Sequence, residues 1–159
     1  MNRPDPLSVP LSLILGSAGH LCHVYENTML QEYGITGRQA AIIMFLIANG
    51  ENEVNQKKIE DGFRLKAATI TSMLSTLESG GFIERTVSET DARNKIIRPT
   101  KKALQVENTI KETHRRSAEI ATAGFTAEEK EVFRRYLMRA VDNIHGEIEK
   151  EQTERGKKK

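Results

Sequence analysis

Tryptophan is absent, and aromatic residues make up 5% of the 159. Any core this chain buries must therefore be aliphatic. There is one cysteine, Cys22. A single thiol excludes an internal disulfide and fits a reducing cytosol, so a cytoplasmic location is expected. Long hydrophobic runs are missing too. The apolar piece Leu11 to Leu15 is interrupted by Gly16, Ser17 and His20. It is too short and too broken for a signal peptide or a membrane span. No glycine-rich phosphate loop, no His-Glu-x-x-His and no nucleophile elbow can be found. His114 and His145 stand alone on helical stretches. The chain is expected to be no enzyme and to need no cofactor. No internal repeat is visible, and the length suits one domain, with or without a dimerisation extension.

The net charge of +2 says little, but its distribution says more. Residues 1–54 hold two Lys or Arg against five Asp or Glu. Residues 55–102 hold ten against six, and residues 103–159 hold twelve against eleven. The positive excess is concentrated in the middle third, as a nucleic-acid footprint requires.

That middle stretch also carries the clearest pattern. Ile70, Leu74 and Leu77, with Met73 beside them, recur at helical spacing and give one apolar face. The opposite face carries Thr69, Ser72, Ser75 and Thr76. A solvated face more often carries Lys and Glu. Short hydroxyls let a helix backbone approach a partner closely and can bond phosphates or base edges. Gly80 and Gly81 end the helix. Phe82 to Ser88 then alternates as a strand, with Arg85 breaking the pattern. Asn94 to Arg98 pairs back, and Pro99 stops it for want of a ladder donor. The tip Glu89 to Arg93 would hold Arg93 away from the body, which suits a narrow, negatively charged minor groove. Asp91 can orient its guanidinium.

These residues resemble the winged helix-turn-helix of the multiple-antibiotic-resistance regulators (MarR-type transcription factors). The resemblance rests on the run ATITSMLSTLESGGFIER, the D-A-R-N-K motif at Asp91 to Lys95, and Arg98-Pro99-Thr100 leading into a long helix. It extends in order and spacing over almost the whole chain. Ala67 and Ala68 depart from it, standing where the family commonly has a polar residue; Ala103 stands where it often has Gly. The fold class expected is mainly α: a winged helix-turn-helix with a small antiparallel ribbon and a helical dimerisation region. The divisions expected are residues 1–34 and 100–152 for dimerisation, 35–99 for DNA binding, and a basic flexible tail over 153–159.

The flanks read as helices. The first spans about Pro10 to Tyr33, with Leu11, Ile14, Leu15, Ala18, Leu21, Cys22, Tyr25 and Met29 as its apolar stripe. Thr36 and Gln39 form a capping box for the second, apolar on nearly every side over Ala40 to Ala48. Val54 is a candidate lone strand residue. Asn55 caps a helix from Gln56 to Asp61, which Gly62 ends. Thr100 caps a helix to about Ala123, with Leu104, Ile110, His114, Ser117, Ile120 and Ala121 as its stripe. Thr126 and Glu129 form a second capping box. The helix it opens is amphipathic through Val132, Phe133, Tyr136, Leu137, Ala140, Val141, Ile144 and Ile148. Residues 149–159 are expected to fray. Burying a large aliphatic side chain contributes roughly 1.5–3 kcal/mol, so leaving this stripe of eight mostly apolar residues bare would be costly and a homodimer is expected. Its two reading helices would then meet an inverted-repeat operator.

The roles expected are specific. Thr69, Thr71, Ser72 and Ser75 face the major groove, with Lys66 near its backbone. Asn55, Gln56 and Lys57 hold phosphate from a helix start. Arg93 enters the minor groove, with Lys95 on phosphate. The resemblance further implies a small anionic or aromatic effector and a ligand-responsive repressor. His20 and His23 are the candidate ligand residues. His20, Cys22, His23 and Glu26 also leave open a zinc- or peroxide-sensing regulator, with His114 a candidate fourth ligand. The rival from another class is a winged helix that binds protein rather than DNA.

Overall fold

The computed structural model describes residues 8–88 and 94–157. It divides into two compact units, one reaching to Ala121 and the other starting at Thr122.

In the first unit, α1 (Leu11–Leu30) is followed by a 3-10 turn at Gln31–Tyr33 and by Gly34 in the left-handed conformation, φ 68°. The expected helix therefore changes winding for its last three residues. Helix α2 (Gly37–Asn49) opens on the anticipated capping box. Thr36 Oγ1 accepts the Gln39 N–H, and Gln39 Oε1 accepts the Thr36 N–H at 2.8 Å. Ala40, Ile42, Ile43 and Leu46 of α2 are almost fully buried, which puts this helix at the centre of the core.

Helix α3 (Gln56–Phe63) is capped by Asn55, whose Oδ1 accepts the Lys58 N–H at 2.9 Å. It runs two residues past the predicted end. Gly62 does not stop it; a Cβ there would sit 3.3 Å from the Phe45 ring, so the glycine makes room for that ring. Phe63 then packs edge-on against Phe45, centroids 5.6 Å apart. The helix ends instead at Arg64, which takes a left-handed φ of 53°.

Helix α4 (Ala67–Ser79) buries Ile70, Leu74 and Leu77 as their spacing predicts. Gly81, with φ 73°, reverses the chain behind it. Lys102 Nζ donates to the Gly80 carbonyl at 2.7 Å and lies 4.3 Å from the Phe82 ring centroid. It caps the helix end and covers the aromatic at once.

Strands β1 (Ile83–Val87) and β2 (Lys95–Pro99) pair antiparallel, from Ile83 opposite Pro99 to Val87 opposite Lys95. The ribbon is tied to the body where the Ile97 N–H donates to the Val54 carbonyl at 2.7 Å. Asn55 forms a bridge with Ile96 beside it. Ile83 is buried, but Val87, placed on the same side by alternation, is exposed.

The expected long helix from Thr100 is two. Helix α5 (Lys101–Gln105) stops at Val106, and α6 (Glu107–Ala121) follows. The buried face is Ala103, Val106, Ile110, Thr113 and Ser117. Ile110 and Ser117 of the predicted stripe are on it, but Leu104 and Ile120 are half exposed and Ala103, Val106 and Thr113 are buried in their place.

The second unit is α7 (Ala127–Lys157) with its lead-in. The second capping box forms, with the Thr126 N–H on the Glu129 carboxylate at 2.8 Å. Phe125 packs edge-on against Phe133. The helix continues to Lys157 through residues expected to fray. Lys150–Glu147 and Arg155–Glu151 pairs at helical spacing accompany that last stretch, a modest support. Tyr136, Met138, Val141, Ile144 and Ile148 are about half exposed.

Candidate nucleic-acid interface

Burial splits α4 by chemistry. Ile70, Leu74 and Leu77 face the core, while Thr69, Thr71, Ser72, Ser75 and Thr76 are all exposed. Thr76 donates to its own helix at the Ser72 carbonyl, 3.1 Å away, the usual fate of a mid-helix hydroxyl. Lys66 occupies the N-cap position and makes no side-chain cap. Ammonium groups cannot accept an N–H. The first N–H groups of α4 therefore have no side-chain acceptor there, and a cation stands beside the positive end of the helix dipole.

The start of α3 lies beside this face. Gln56 Nε2 donates to Thr71 Oγ1 at 2.8 Å and to Glu60 Oε1 at 3.0 Å. Asn55 Oδ1 is engaged in capping, which leaves its amide N–H groups as donors. Lys57 Nζ pairs with Asp61 at 2.7 Å, and both side chains are well exposed. The hydrogen bond to that carboxylate raises the Lys57 pKa above its ordinary value. Lys95 is exposed at the outer end of β2. Asp91 and Arg93 lie outside the described residues.

Two tethers had not been anticipated. Ser88 Oγ donates to the Glu53 carboxylate, 3.1 and 3.2 Å from its two oxygens, just past the outer end of β1. The Ser88 N–H also donates to the Asn94 carbonyl at 2.9 Å. No spacing rule flags a contact between residues 35 apart. Arg85 Nε stands 3.1 Å from Glu78 Oε2, an ion pair from β1 to the end of α4. It is misaligned for a hydrogen bond. That tether did leave a sequence signal, since Arg85 is the residue that broke the strand's alternation.

A separate cavity of about 360 Å³ opens between α1, α2, the α3–α4 turn and α6. Phe63, Leu65 and Met73 form its apolar wall, and His23, Glu26, Arg38 and His114 supply its polar groups. Arg38 Nε donates to His23 Nε2 at 3.4 Å. His23 Nδ1 is buried and stands 3.6 Å from Glu26, too far for a hydrogen bond. Only one of the two predicted ligand residues is here: His20 is exposed and does not line the cavity. Cys22 is half-buried and does not line it either. Among the described residues no three His, Cys, Asp or Glu converge as metal ligands. The zinc set drawn from His20, His23 and Glu26 is thus not assembled, because His20 turns to solvent. No helix among the described residues is long and apolar enough to cross a membrane.

Comparison with known proteins bears directly on this arrangement. The chain is 30% identical over 107 residues to the HTH-type transcriptional regulator YybA of Bacillus subtilis (strain 168). The match covers 67% of this chain and 71% of that protein. The crystal structure of the transcriptional regulator SlyA superposes with a TM-score of 0.81 at 21% identity, over 89% of this chain and 98% of that one. A MarR family regulator from Listeria monocytogenes, complexed with a 26mer DNA, superposes with a TM-score of 0.77 at 21% identity. That match covers 87% of this chain and 91% of the Listeria chain. The family model of the transcriptional regulators SarA/Rot matches residues 25–110, more than half of the chain. With the buried and hydroxylated faces of α4, the ribbon and the flanking helices in the order described, the chain belongs to the SarA/Rot family of transcriptional regulators, of the MarR type.

Proposed function

We propose that the protein binds a double-stranded inverted repeat as a homodimer and acts as a repressor released by a small molecule. The observation that carries DNA binding is the exposed row of Thr69, Thr71, Ser72 and Ser75 on α4. It lies in the segment of the chain with the greatest excess of Lys and Arg. In this reading the row enters the major groove, where hydroxyls can bond base edges. Lys66 and the open start of α4 lie on its phosphates. Asn55, Lys57 and Lys95 add further phosphate contacts, and Arg93, oriented by Asp91, enters the minor groove. The neighbour complexed with a 26mer DNA supports the same use of the fold.

The dimer is supported by apolar side chains left in water. Leu11, Leu13 and Leu21 of α1 are more than 60% exposed, and α7 carries its own half-exposed row. A second copy covers these surfaces and brings two reading helices to successive major grooves, roughly 34–36 Å apart. The effector occupies the cavity. Its wall includes Met73 of α4 and both neighbours of Arg64, so a guest there presses on the reading helix and its turn.

Footprinting tests the DNA geometry. Moving one half-site by five base pairs should abolish binding, and unaffected binding would reject the two-fold arrangement. Raising salt separates this reading from a protein-interaction module, because phosphate binding falls steeply with ionic strength. Effector release is tested with a panel of small aromatic acids on wild type and Arg38→Ala. Wild type should lose DNA where the variant does not.

A further inference from the structure

The bonds made by Gln56 conflict with a phosphate role for it. A carboxamide nitrogen carries two hydrogens. Here one goes to Glu60 Oε1 at 3.0 Å and the other to Thr71 Oγ1 at 2.8 Å. The opposite flip would set the amide oxygen against the Glu60 carboxylate, acceptor facing acceptor. What Gln56 has left is therefore its oxygen. Phosphate oxygens only accept, so that atom offers them nothing. An exocyclic amino group of a base is what it can bind.

Thr71 is left in the complementary state. Its oxygen accepts from Gln56, and its own hydrogen remains to be donated. Mid-helix threonines commonly give that hydrogen to the carbonyl four residues back. Thr76 does so to Ser72, and Thr28 does so to Val24. Thr71 makes no such bond among the described residues. An acceptor and a donor thus stand side by side where the start of α3 meets the exposed face of α4.

The major-groove edges of the bases differ in what they ask for. Guanine shows two acceptors, cytosine one donor, and thymine an acceptor and a methyl group. Adenine alone shows a donor, its amino group, beside an acceptor, N7. We infer that Gln56 and Thr71 act together as an adenine-reading pair, with Gln56 Oε1 accepting from the amino group and Thr71 Oγ1 donating to N7. This rests on the DNA-binding reading above and names which base that face selects. Gln56 thereby moves from phosphate holding to base selection, and neither residue does the task alone.

The test starts from duplexes recovered from a random pool by the full chain at low salt. One position in each half-site should prefer adenine by about tenfold over the other bases, the usual scale for a two-bond contact. Thr71→Val and Gln56→Met should each flatten that position and leave the others, and the salt dependence, unchanged. Replacing this adenine with 7-deazaadenine should weaken wild type and leave Thr71→Val unaffected. Replacing it with purine, which lacks the amino group, should weaken wild type and leave Gln56→Met unaffected. Retention of the full preference in either variant would overturn the pair. So would a Gln56→Met protein that keeps the adenine preference and binds every duplex about equally more weakly, since that places Gln56 on phosphate. Recovery of no duplex by wild type is a different result, and sinks the DNA-binding reading together with this one.

Discussion

Glu26 on α1 lies so close to Gly37, the first residue of α2, that a Cβ at position 37 would stand 2.9 Å from the Glu26 Cβ and 2.6 Å from its carboxylate oxygen. The neighbouring Asn27 Oδ1 accepts the Gly37 N–H at 2.8 Å and fixes the same junction. The two helices meet where only a hydrogen fits. Gly37→Ala is expected to lower stability by about 1–3 kcal/mol, the range for forced overpacking. Urea denaturation measures it; an unchanged midpoint would mean that α1 yields without cost.

The turn between α3 and α4 stores strain at Arg64. A non-glycine residue in the left-handed region costs about 1–2 kcal/mol. Arg64→Gly relieves this but adds freedom to the unfolded chain, so a gain of about 0.5–1 kcal/mol is expected. Arg64→Val, β-branched, should instead lose stability. Thermal midpoints of the two variants moving the same way would contradict the strain.

The capping box at Thr36 predicts a simpler loss. Thr36→Ala removes the acceptor for the Gln39 N–H and should cost about 1 kcal/mol. Gln39→Ala on that background should then cost less than on its own, because the two side chains act reciprocally. A double-mutant cycle in chemical denaturation reads the coupling.

Two cations distinguish kinds of DNA contact. Lys66→Ala should weaken binding about equally across sequences and reduce the log–log salt slope by about one. Arg93→Ala should weaken binding by about 1–3 kcal/mol, on the scale of a good base-edge contact. If affinity and slope both stayed put in the Arg93 variant, the ribbon tip would not be in the groove.

Local patterns proved readable wherever one residue's chemistry decides. Thr36 with Gln39 and Thr126 with Glu129 cap as their spacing says, and the Ile70, Leu74, Leu77 face is buried. What escaped reading depends on packing from afar. Gly62 looked like a helix stop, but its missing Cβ serves the Phe45 ring. Leu104 looked like a core residue, yet burial of Ala103 and Val106 turned it outward. Ser88 and Glu53 carry no mutual signal because their contact spans 35 residues. At the candidate site the hydroxyl face was legible from helical spacing and side-chain type. The Gln56–Thr71 bond was not, since helical periodicity says nothing of how two helices cross.

Lys102 gives its charge to a carbonyl at the end of α4 and to the ring of Phe82, and Arg85 gives its own to Glu78. Both count among the ten cations of residues 55–102, yet both serve as internal fastenings. Ion release on complex formation, which tracks neutralised phosphates at about 0.9 per contact, should therefore fall short of what a tally of lysines and arginines in this segment suggests. Two of its positive charges hold the protein together and leave the counterion cloud of the duplex untouched.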